Sequence, residues 1–154
     1  AVKGLSASDW FEKGYKFGIA GNHKEALNAF NKAIELNPKF ALAYGNRGVA
    51  YSDLGNYQQA INDYTKAIQL NPKYADAYNN RGAAYYKLGN HRQAINDYTK
   101  AIQLNPQLAI AYKNRGLAYN DLGNKQKFIA DAKIAAKLGD KAAQDFLRKK
   151  GIGW

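Results

Sequence analysis

The sequence predicts an all-α protein built from tandem helix-turn-helix units, because its residues recur with a fixed period. Three prolines are 34 residues apart, at Pro38, Pro72 and Pro106. The segment 59–72 is identical to the segment 93–106. Small and aromatic residues follow the same period: Gly14, Gly48, Gly82 and Gly116; Ala26, Ala60 and Ala94; Phe30, Tyr64 and Tyr98. Such a period is typical of stacked repeats, in which no single unit can bury its apolar face alone.

Each unit is expected to hold two helices separated by a Gly-Asn pair. In the second unit, the apolar spacing predicts a first helix over about 42–54. Gly55 can take the left-handed conformation that ends this helix, and the side chain of Asn56 is expected to cap the next one. Pro72 stops that second helix, since the residue before a proline avoids the helical region. The same pair recurs at 21–22, 89–90 and 123–124.

The second helix of the fourth unit departs from the pattern. Phe128 stands where alanine is expected, Ala132 where an aromatic residue is expected, and Asp140 where proline is expected. Asp140 is predicted to cap a short terminal helix, whose Phe146 and Leu147 would cover the apolar end of the last unit. This arrangement is typical of a capping element at the end of a repeat array.

The start of the array and its extent can be predicted in the same way. Ser6 is expected to cap the first helix, with Leu5 and Trp10 forming a hydrophobic staple. We predict a single domain over residues 1–154. Its units are expected at about 7–40, 41–74, 75–108 and, in degenerate form, 109–138, followed by a capping helix at about 140–150.

The spacing resembles the tetratricopeptide repeat (TPR) family, over about residues 7 to 138. The second unit carries the family's aromatic, glycine, aromatic, alanine, aromatic and proline positions as Tyr44, Gly48, Tyr51, Ala60, Tyr64 and Pro72. The resemblance implies a right-handed α-α superhelix whose first helices line a concave groove. The chain departs from the family in having a basic residue where leucine is usual, and the aliphatic stem of that residue is expected to pack. These residues are Lys13, Arg47, Arg81 and Arg115.

Composition limits the possible classes of function. The chain has no cysteine, which excludes disulfides, thiolate metal sites and cysteine nucleophiles. No apolar run approaches the ~18 residues of a membrane span. His23 and His91 occupy equivalent positions two units apart and are interpreted as surface turn residues. We find no phosphate-binding glycine loop and no paired carboxylates, so we predict no catalytic residues, metal or cofactor, and a protein that is not an enzyme.

Localisation stays open from the sequence. The chain begins at Ala1 and contains no methionine, so its natural start is expected to have been trimmed. Removal of an export signal and cleavage of an expression tag explain this equally well. A soluble protein of the cytoplasm, the periplasm or the secreted fraction is compatible with the composition.

The first helices of units two to four differ at only five positions, which fall on one helical face. We interpret this varied face as the one that selects a ligand; drift on a solvated face is the alternative. Asn46, Asn80 and Asn114 stay constant beside it and could bind a peptide backbone, or could instead bond within their own helices. The predicted groove residues are Tyr15, Asn46, Val49, Asp53, Asp76, Asn79, Asn80, Tyr86, Lys87, Lys113, Asn114, Leu117 and Asp121.

These observations favour a protein-protein interaction scaffold that binds a peptide or protein in the groove. The net charge of +11, concentrated in residues 125–154, favours an acidic partner. Two alternatives stay open: a nucleic-acid-binding repeat protein, which the clustering of basic residues at one end does not favour, and a self-assembling structural module. The carboxylate clamp of chaperone-binding relatives is not expected, since only Asn46 agrees with it. The five matching positions are Phe11, Tyr15, Asn46, Asp76 and Asn80.

Overall fold

The computed structural model describes residues 3–154, which form nine α-helices and no strand. The all-α prediction is confirmed, and each predicted unit holds one helix pair. The helices are α1 (Ala7–Ile19), α2 (His23–Leu36), α3 (Ala41–Asp53), α4 (Tyr57–Leu70), α5 (Ala75–Lys87), α6 (His91–Leu104), α7 (Ala109–Asp121), α8 (Lys125–Lys137) and α9 (Lys141–Lys149). None of these helices has the length and apolarity needed to cross a bilayer.

The turns between paired helices depend on glycine. Gly55 has a φ of 79°, a conformation that side chains with a Cβ rarely adopt. The backbone N–H of Asn56 then donates to the Tyr51 carbonyl over 2.8 Å, closing the end of α3. The equivalent glycines Gly21, Gly89 and Gly123 also have positive φ.

The predicted asparagine caps are wrong for three of the four Gly-Asn turns. Asn22, Asn56 and Asn90 make no side-chain capping bond, whereas Asn124 accepts a bond from the backbone of Lys127. All four turns have the same backbone bond, but the backbone conformation of the asparagine differs slightly. Asn56 has a ψ of 64°, whereas Asn124 has a ψ of 77°, closer to the extended conformation typical of a capping residue.

The two predicted caps at the ends of the array are confirmed. The Ser6 hydroxyl, at a residue with ψ 170°, accepts a bond from the Asp9 backbone N–H, and the Asp9 carboxylate accepts one from the Ser6 N–H. Asp140, at ψ 110°, accepts a bond of 2.8 Å from the Ala143 N–H. Leu147 is fully buried in the core of the last repeat, as the capping-helix prediction requires.

The helices fall into two compact halves, a first unit that ends at Ala77 and a second unit from Tyr78 to Trp154. We keep the word unit for these halves and call each 34-residue helix pair a repeat. In the first unit α1 packs on α2, α2 on α3, and α3 on α4. In the second unit α6 packs on α7, α7 on α8, and α8 on α9. The single-domain assignment stays a prediction.

Within each complete repeat, a buried aromatic ring fills the space beside a glycine. In the first unit, a Cβ added at Gly48 would lie 2.7 Å from the Tyr64 ring, and one at Gly14 would lie 2.7 Å from the Phe30 ring. Tyr98 fills the same position in the second unit, against Gly82. The 34-residue period therefore records a close approach of two helices around one ring.

The unusual basic residue of the first helices is a structural clamp. Arg47 donates two hydrogen bonds of 2.8 Å to the Asp63 carboxylate on α4 and a third, of 2.9 Å, to Asn31 on α2. Arg115 repeats this geometry with Asp131 and Thr99. The expectation that only the stem packs is therefore incomplete, since the guanidinium joins two second helices.

The clamp was overlooked in the sequence although its signal is visible there. An aspartate follows each arginine by 16 residues in Arg47–Asp63, Arg81–Asp97 and Arg115–Asp131. The first repeat lacks the pair: it has Ala29 at the aspartate position, and Lys13 lies over the Trp10 ring, 5.0 Å from its centroid.

Candidate binding face on the first helices

The varied positions of α1, α3, α5 and α7 form what we call the first-helix face of each unit. In the first unit this face exposes large apolar side chains, with Tyr15 48% and Val49 37% exposed. In the second unit Leu117 is 41% exposed. On the same helices, Ala50 and Ala118 are buried against the neighbouring helices. The face is mixed where solvent reaches it, because Asp53, Lys87 and Asp121 are exposed on it beside the apolar side chains.

A shallow cavity of about 190 Å³ lies on this face of the first unit. Its lining includes four of the predicted groove residues: Tyr15, Asn46, Val49 and Asp53. His23, at the start of α2, lies beside it with Nδ1 3.4 Å from an Asp53 carboxylate oxygen. His23 and His91 are both partly buried at the first residue of their helices, and their interpretation as surface turn residues stays a prediction.

In the second unit several predicted groove residues bind one another. The buried Asn79 accepts a hydrogen bond of 3.3 Å from the Asn114 side chain. The Tyr86 hydroxyl donates to Asp121 over 2.5 Å, and this bond raises the pKa of Tyr86. These contacts join α5 to α7 and fix the positions of polar groups on the face. The exposed Lys87 lies at the end of α5.

The asparagines that recur on the first helices do not form identical contacts. Asn46 donates to the Leu42 carbonyl of its own helix over 2.9 Å, as the intrahelical alternative expects. Asn114 instead reaches across to Asn79 on α5. Asn80 is partly buried, and Asp76, at the start of α5, is exposed. Peptide binding by the asparagines stays a prediction, and it would use the side-chain oxygens and the second amide N–H groups of Asn46 and Asn114.

A larger cavity lies at the C-terminal end of the second unit, and we call it the cap pocket. It has a volume of about 330 Å³ and is formed by α7, α8 and α9. The Lys113 ammonium at its edge lies 3.3 Å from the Asp140 carboxylate. Its lining consists of Lys113, Leu117, Phe128, Ala132, Ala142, Ala143 and Phe146. Of these, only Lys113 and Leu117 were predicted as ligand-binding residues.

Family models match most of the repeat region. A model described as TPR repeat matches residues 14–55 and 50–89, and one described as Tetratricopeptide repeat matches residues 75–108. The chain belongs to the tetratricopeptide repeat family. The resemblance predicted from the aromatic, glycine and proline positions is confirmed. Proteins of this family are in general non-enzymatic modules for protein interaction.

Solved structures of TPR proteins have the same fold. The crystal structure of MamA is 31% identical with a TM-score of 0.81, and the match covers 90% of this chain and 81% of that one. The first TPR of Spaghetti (RPAP3), bound to the HSP90 peptide SRMEEVD, is 30% identical with a TM-score of 0.75; 79% of this chain and 97% of that chain are covered. The Arabidopsis OM64 TPR domain is 31% identical with a TM-score of 0.74, and the match covers 75% of this chain and 96% of that one.

A curated relative is similar over a shorter stretch. It is the uncharacterized protein MJ0572 of Methanocaldococcus jannaschii, which is 43% identical over 44 residues. The match covers 29% of this chain and 51% of that protein, so the chain spans about half the length of the relative.

Proposed function

We propose that this TPR protein is an interaction scaffold that binds a peptide or protein segment on its first-helix faces. One observation carries the proposal: the positions that differ between repeats expose large apolar side chains, including Val49 and Leu117. Burial of such side chains against a partner is favourable by about 25 cal/mol per Å² of apolar surface.

Polar groups on the same faces would fix the orientation of the bound segment. The Asn46 amide nitrogen donates one hydrogen bond to its own helix, which leaves its second N–H and its side-chain oxygen for a peptide backbone. In the second unit, the Tyr86–Asp121 hydrogen bond holds a hydroxyl and a carboxylate in fixed positions. Such preorganised groups reduce the entropy lost on binding.

The solved complex of a similar TPR supports a peptide as the ligand class. The first TPR of RPAP3 binds the peptide SRMEEVD, and it is 30% identical to this chain. This chain has Phe11, Tyr15 and Asp76 at positions where the chaperone-binding clamp requires lysine or asparagine. We therefore propose a peptide ligand of different sequence, selected by the apolar side chains of the first-helix faces.

A pair of substitutions tests this proposal. Val49→Glu places a charge on the first-helix face, whereas Leu36→Glu places the same charge at an exposed leucine of a second helix. Wild type and both variants would be immobilised and used to capture partners from the native extract, followed by measurement of Kd with the purified partner. We expect Val49→Glu to weaken binding at least about tenfold, since each 1.4 kcal/mol is tenfold, and Leu36→Glu to bind as wild type does.

Circular dichroism of each variant serves as the folding control. Partners that bind Val49→Glu as well as they bind wild type would contradict the proposal. So would a loss of binding that is equal in Leu36→Glu, because the charge would then act without regard to the face.

A further inference from the structure

The cap pocket has a distinct origin in the repeat pattern. In the complete repeats, the position equivalent to Ala132 holds a buried ring, which is Phe30, Tyr64 or Tyr98. At Ala132 the ring is missing. The Phe128 ring supplies the contact beside the glycine, since a Cβ at Gly116 would lie 3.3 Å from its Cδ2, and it also lies against Phe146 with centroids 5.0 Å apart. The pocket opens beside these two rings, with the small Ala132 in its wall.

We propose that the cap pocket receives an aromatic or leucine side chain from a partner segment whose neighbouring residues are acidic. The inference rests on the proposed binding function and specifies one contact of it. Leu117 and Lys113, which belong to the first-helix face, also line the pocket. A segment lying on α7 can therefore place one side chain into it.

The lining determines that the occupant is apolar. The side chains of Leu117, Phe128, Ala132 and Phe146 present only carbon to the cavity. A volume of about 330 Å³ is within the range of ligand pockets, which begins at about 300 Å³. A polar occupant would lose its hydration without gaining hydrogen bonds, at a net cost. A large apolar side chain would restore the packing that the missing ring provides elsewhere.

The charge around the pocket determines that the flanking residues are acidic. Each aspartate of residues 125–154 is already paired: Asp131 with Arg115, Asp140 with Lys113, and Asp145 with Arg148. Lys141 adjoins the pocket residue Ala142 in sequence and is exposed, and among the described residues no ion pair is formed by it. The segment carries eight lysines and arginines against these three aspartates. Its attraction is thus for a negatively charged partner.

The same charge argues against a second copy of this chain as the occupant. Two copies would each bring a net charge of +11 to the contact, and like charges at an interface oppose association. The chain's own C-terminal aromatic residue lies elsewhere, because the Trp154 ring contacts Arg148, whose Cζ is 5.8 Å from the ring centroid. An acidic partner protein satisfies both the apolar lining and the charge.

The test uses the whole chain, labelled with ¹⁵N, and synthetic peptides. The probe is a short peptide in which one phenylalanine is flanked on both sides by Glu-Asp. Its matched controls replace phenylalanine by alanine, or the acidic residues by lysine. We expect titration with the probe to shift the backbone amide signals of Leu117, Ala142 and Ala143. The alanine peptide should bind at least about tenfold more weakly, and the lysine peptide more weakly than the probe.

Protein variants locate the binding. Ala142→Trp, at an exposed rim position, should cover the pocket and abolish the shifts, whereas Ala130→Trp, exposed on α8 outside the lining, should leave them unchanged. Ala132→Tyr restores the ring of the other repeats and should also abolish binding. If Ala132→Tyr does not fold, Ala142→Trp still tests whether the peptide binds in the cap pocket, because residue 142 is exposed and the tryptophan disturbs no buried packing.

Four outcomes would overturn the inference: no shifts at the pocket, equal binding of the phenylalanine and alanine peptides, tighter binding of the lysine peptide, or equal effects of the two tryptophan variants. Pocket signals that shift with protein concentration alone would also overturn it, because a second copy would then be the occupant. Shifts at Val49 that do not require phenylalanine would refute the pocket and leave the proposed function standing. That function is decided separately by the capture experiment.

Discussion

The second repeat, α3 with α4, and the fourth repeat, α7 with α8, have the same clamp and different interiors. Both join an arginine to an aspartate through paired hydrogen bonds, Arg47 to Asp63 and Arg115 to Asp131. The second repeat is filled by the Tyr64 ring, whereas the fourth has Ala132 and an open pocket.

The difference shows which part of a repeat can vary. The ion pair joins the two helices of a repeat, and the same arginine also bonds to the second helix of the preceding repeat. The pair is therefore present in the repeats that follow another repeat. The ring fills the interior, and it can be lost where another element supplies apolar surface. In the fourth repeat α9 does so, with Leu147 fully buried and Phe146 packed on Phe128.

The largest expected effect comes from exchanging the two interiors. Tyr64→Ala should lower the free energy of unfolding by about 3–5 kcal/mol, because it leaves a ring-sized cavity in a fully packed repeat. Ala132→Tyr should cost less than this, because Ala132 borders the cap pocket and the added ring can extend into it. Urea unfolding followed by circular dichroism measures both. A loss of several kcal/mol in Ala132→Tyr would mean that the pocket walls cannot accept a ring.

The arginine–aspartate clamp should contribute a similar amount to the free energy of unfolding in the second and the fourth repeat. Asp63→Ala and Asp131→Ala each leave a largely buried arginine without its carboxylate, and each should cost about 3 kcal/mol in the same unfolding assay. Lys32→Ala, which removes an exposed ion pair with Glu35, is the matched control and should cost less than about 1 kcal/mol. If the aspartate variants lose as little stability as Lys32→Ala does, the buried ring and not the ion pair holds the two helices of the repeat together.

The buried ring of the second repeat also predicts a dependence on alkaline pH. Burial raises the pKa of Tyr64 to about 12, above its usual value near 10. Below pH ~10 this tyrosine is neutral in both the folded and the unfolded chain. As the pH rises from about 10 to 12, the unfolded chain loses this proton while the folded chain keeps it, so stability falls, by about 2 kcal/mol.

Tyr64→Phe keeps the ring and removes the titrating group, so it isolates this contribution. The difference in unfolding free energy between wild type and Tyr64→Phe should become smaller or change sign between about pH 10 and 12. A difference that stays constant over this range would show that Tyr64 ionises in the folded chain as easily as in the unfolded one.

The smallest expected effect concerns the glycines beside the two interiors. A Cβ at Gly48 would lie 2.7 Å from the Tyr64 ring, whereas one at Gly116 would have its nearest contact at 3.2 Å, with the Asp131 Cβ. Gly48→Ala should therefore cost about 1–2 kcal/mol despite alanine's helix propensity, and Gly116→Ala should be close to neutral. Thermal unfolding of both variants checks this, and equal changes in Tm would contradict it.

The sequence determined the fold class, the helix pairs and the caps of the first and last helices. Its 34-residue period follows from close contacts that every repeat must make, such as the Gly48–Tyr64 approach, and these leave a strict signature of small and aromatic residues. Ser6 and Asp140 were predictable as caps because capping needs only a suitable side chain at an extended residue.

Tertiary structure alone decided the clamp, the behaviour of the asparagines and the cap pocket. A single arginine in the sequence does not show that its guanidinium will reach two other helices, as that of Arg47 does. The side chain of Asn56 was expected to cap α4, but Asn56 adopts a ψ of 64° and its side chain makes no capping bond. Ala132 marked a departure from the period, and only the packing of α9 determines that an open cavity remains there, because a cavity depends on what all its neighbours fail to fill.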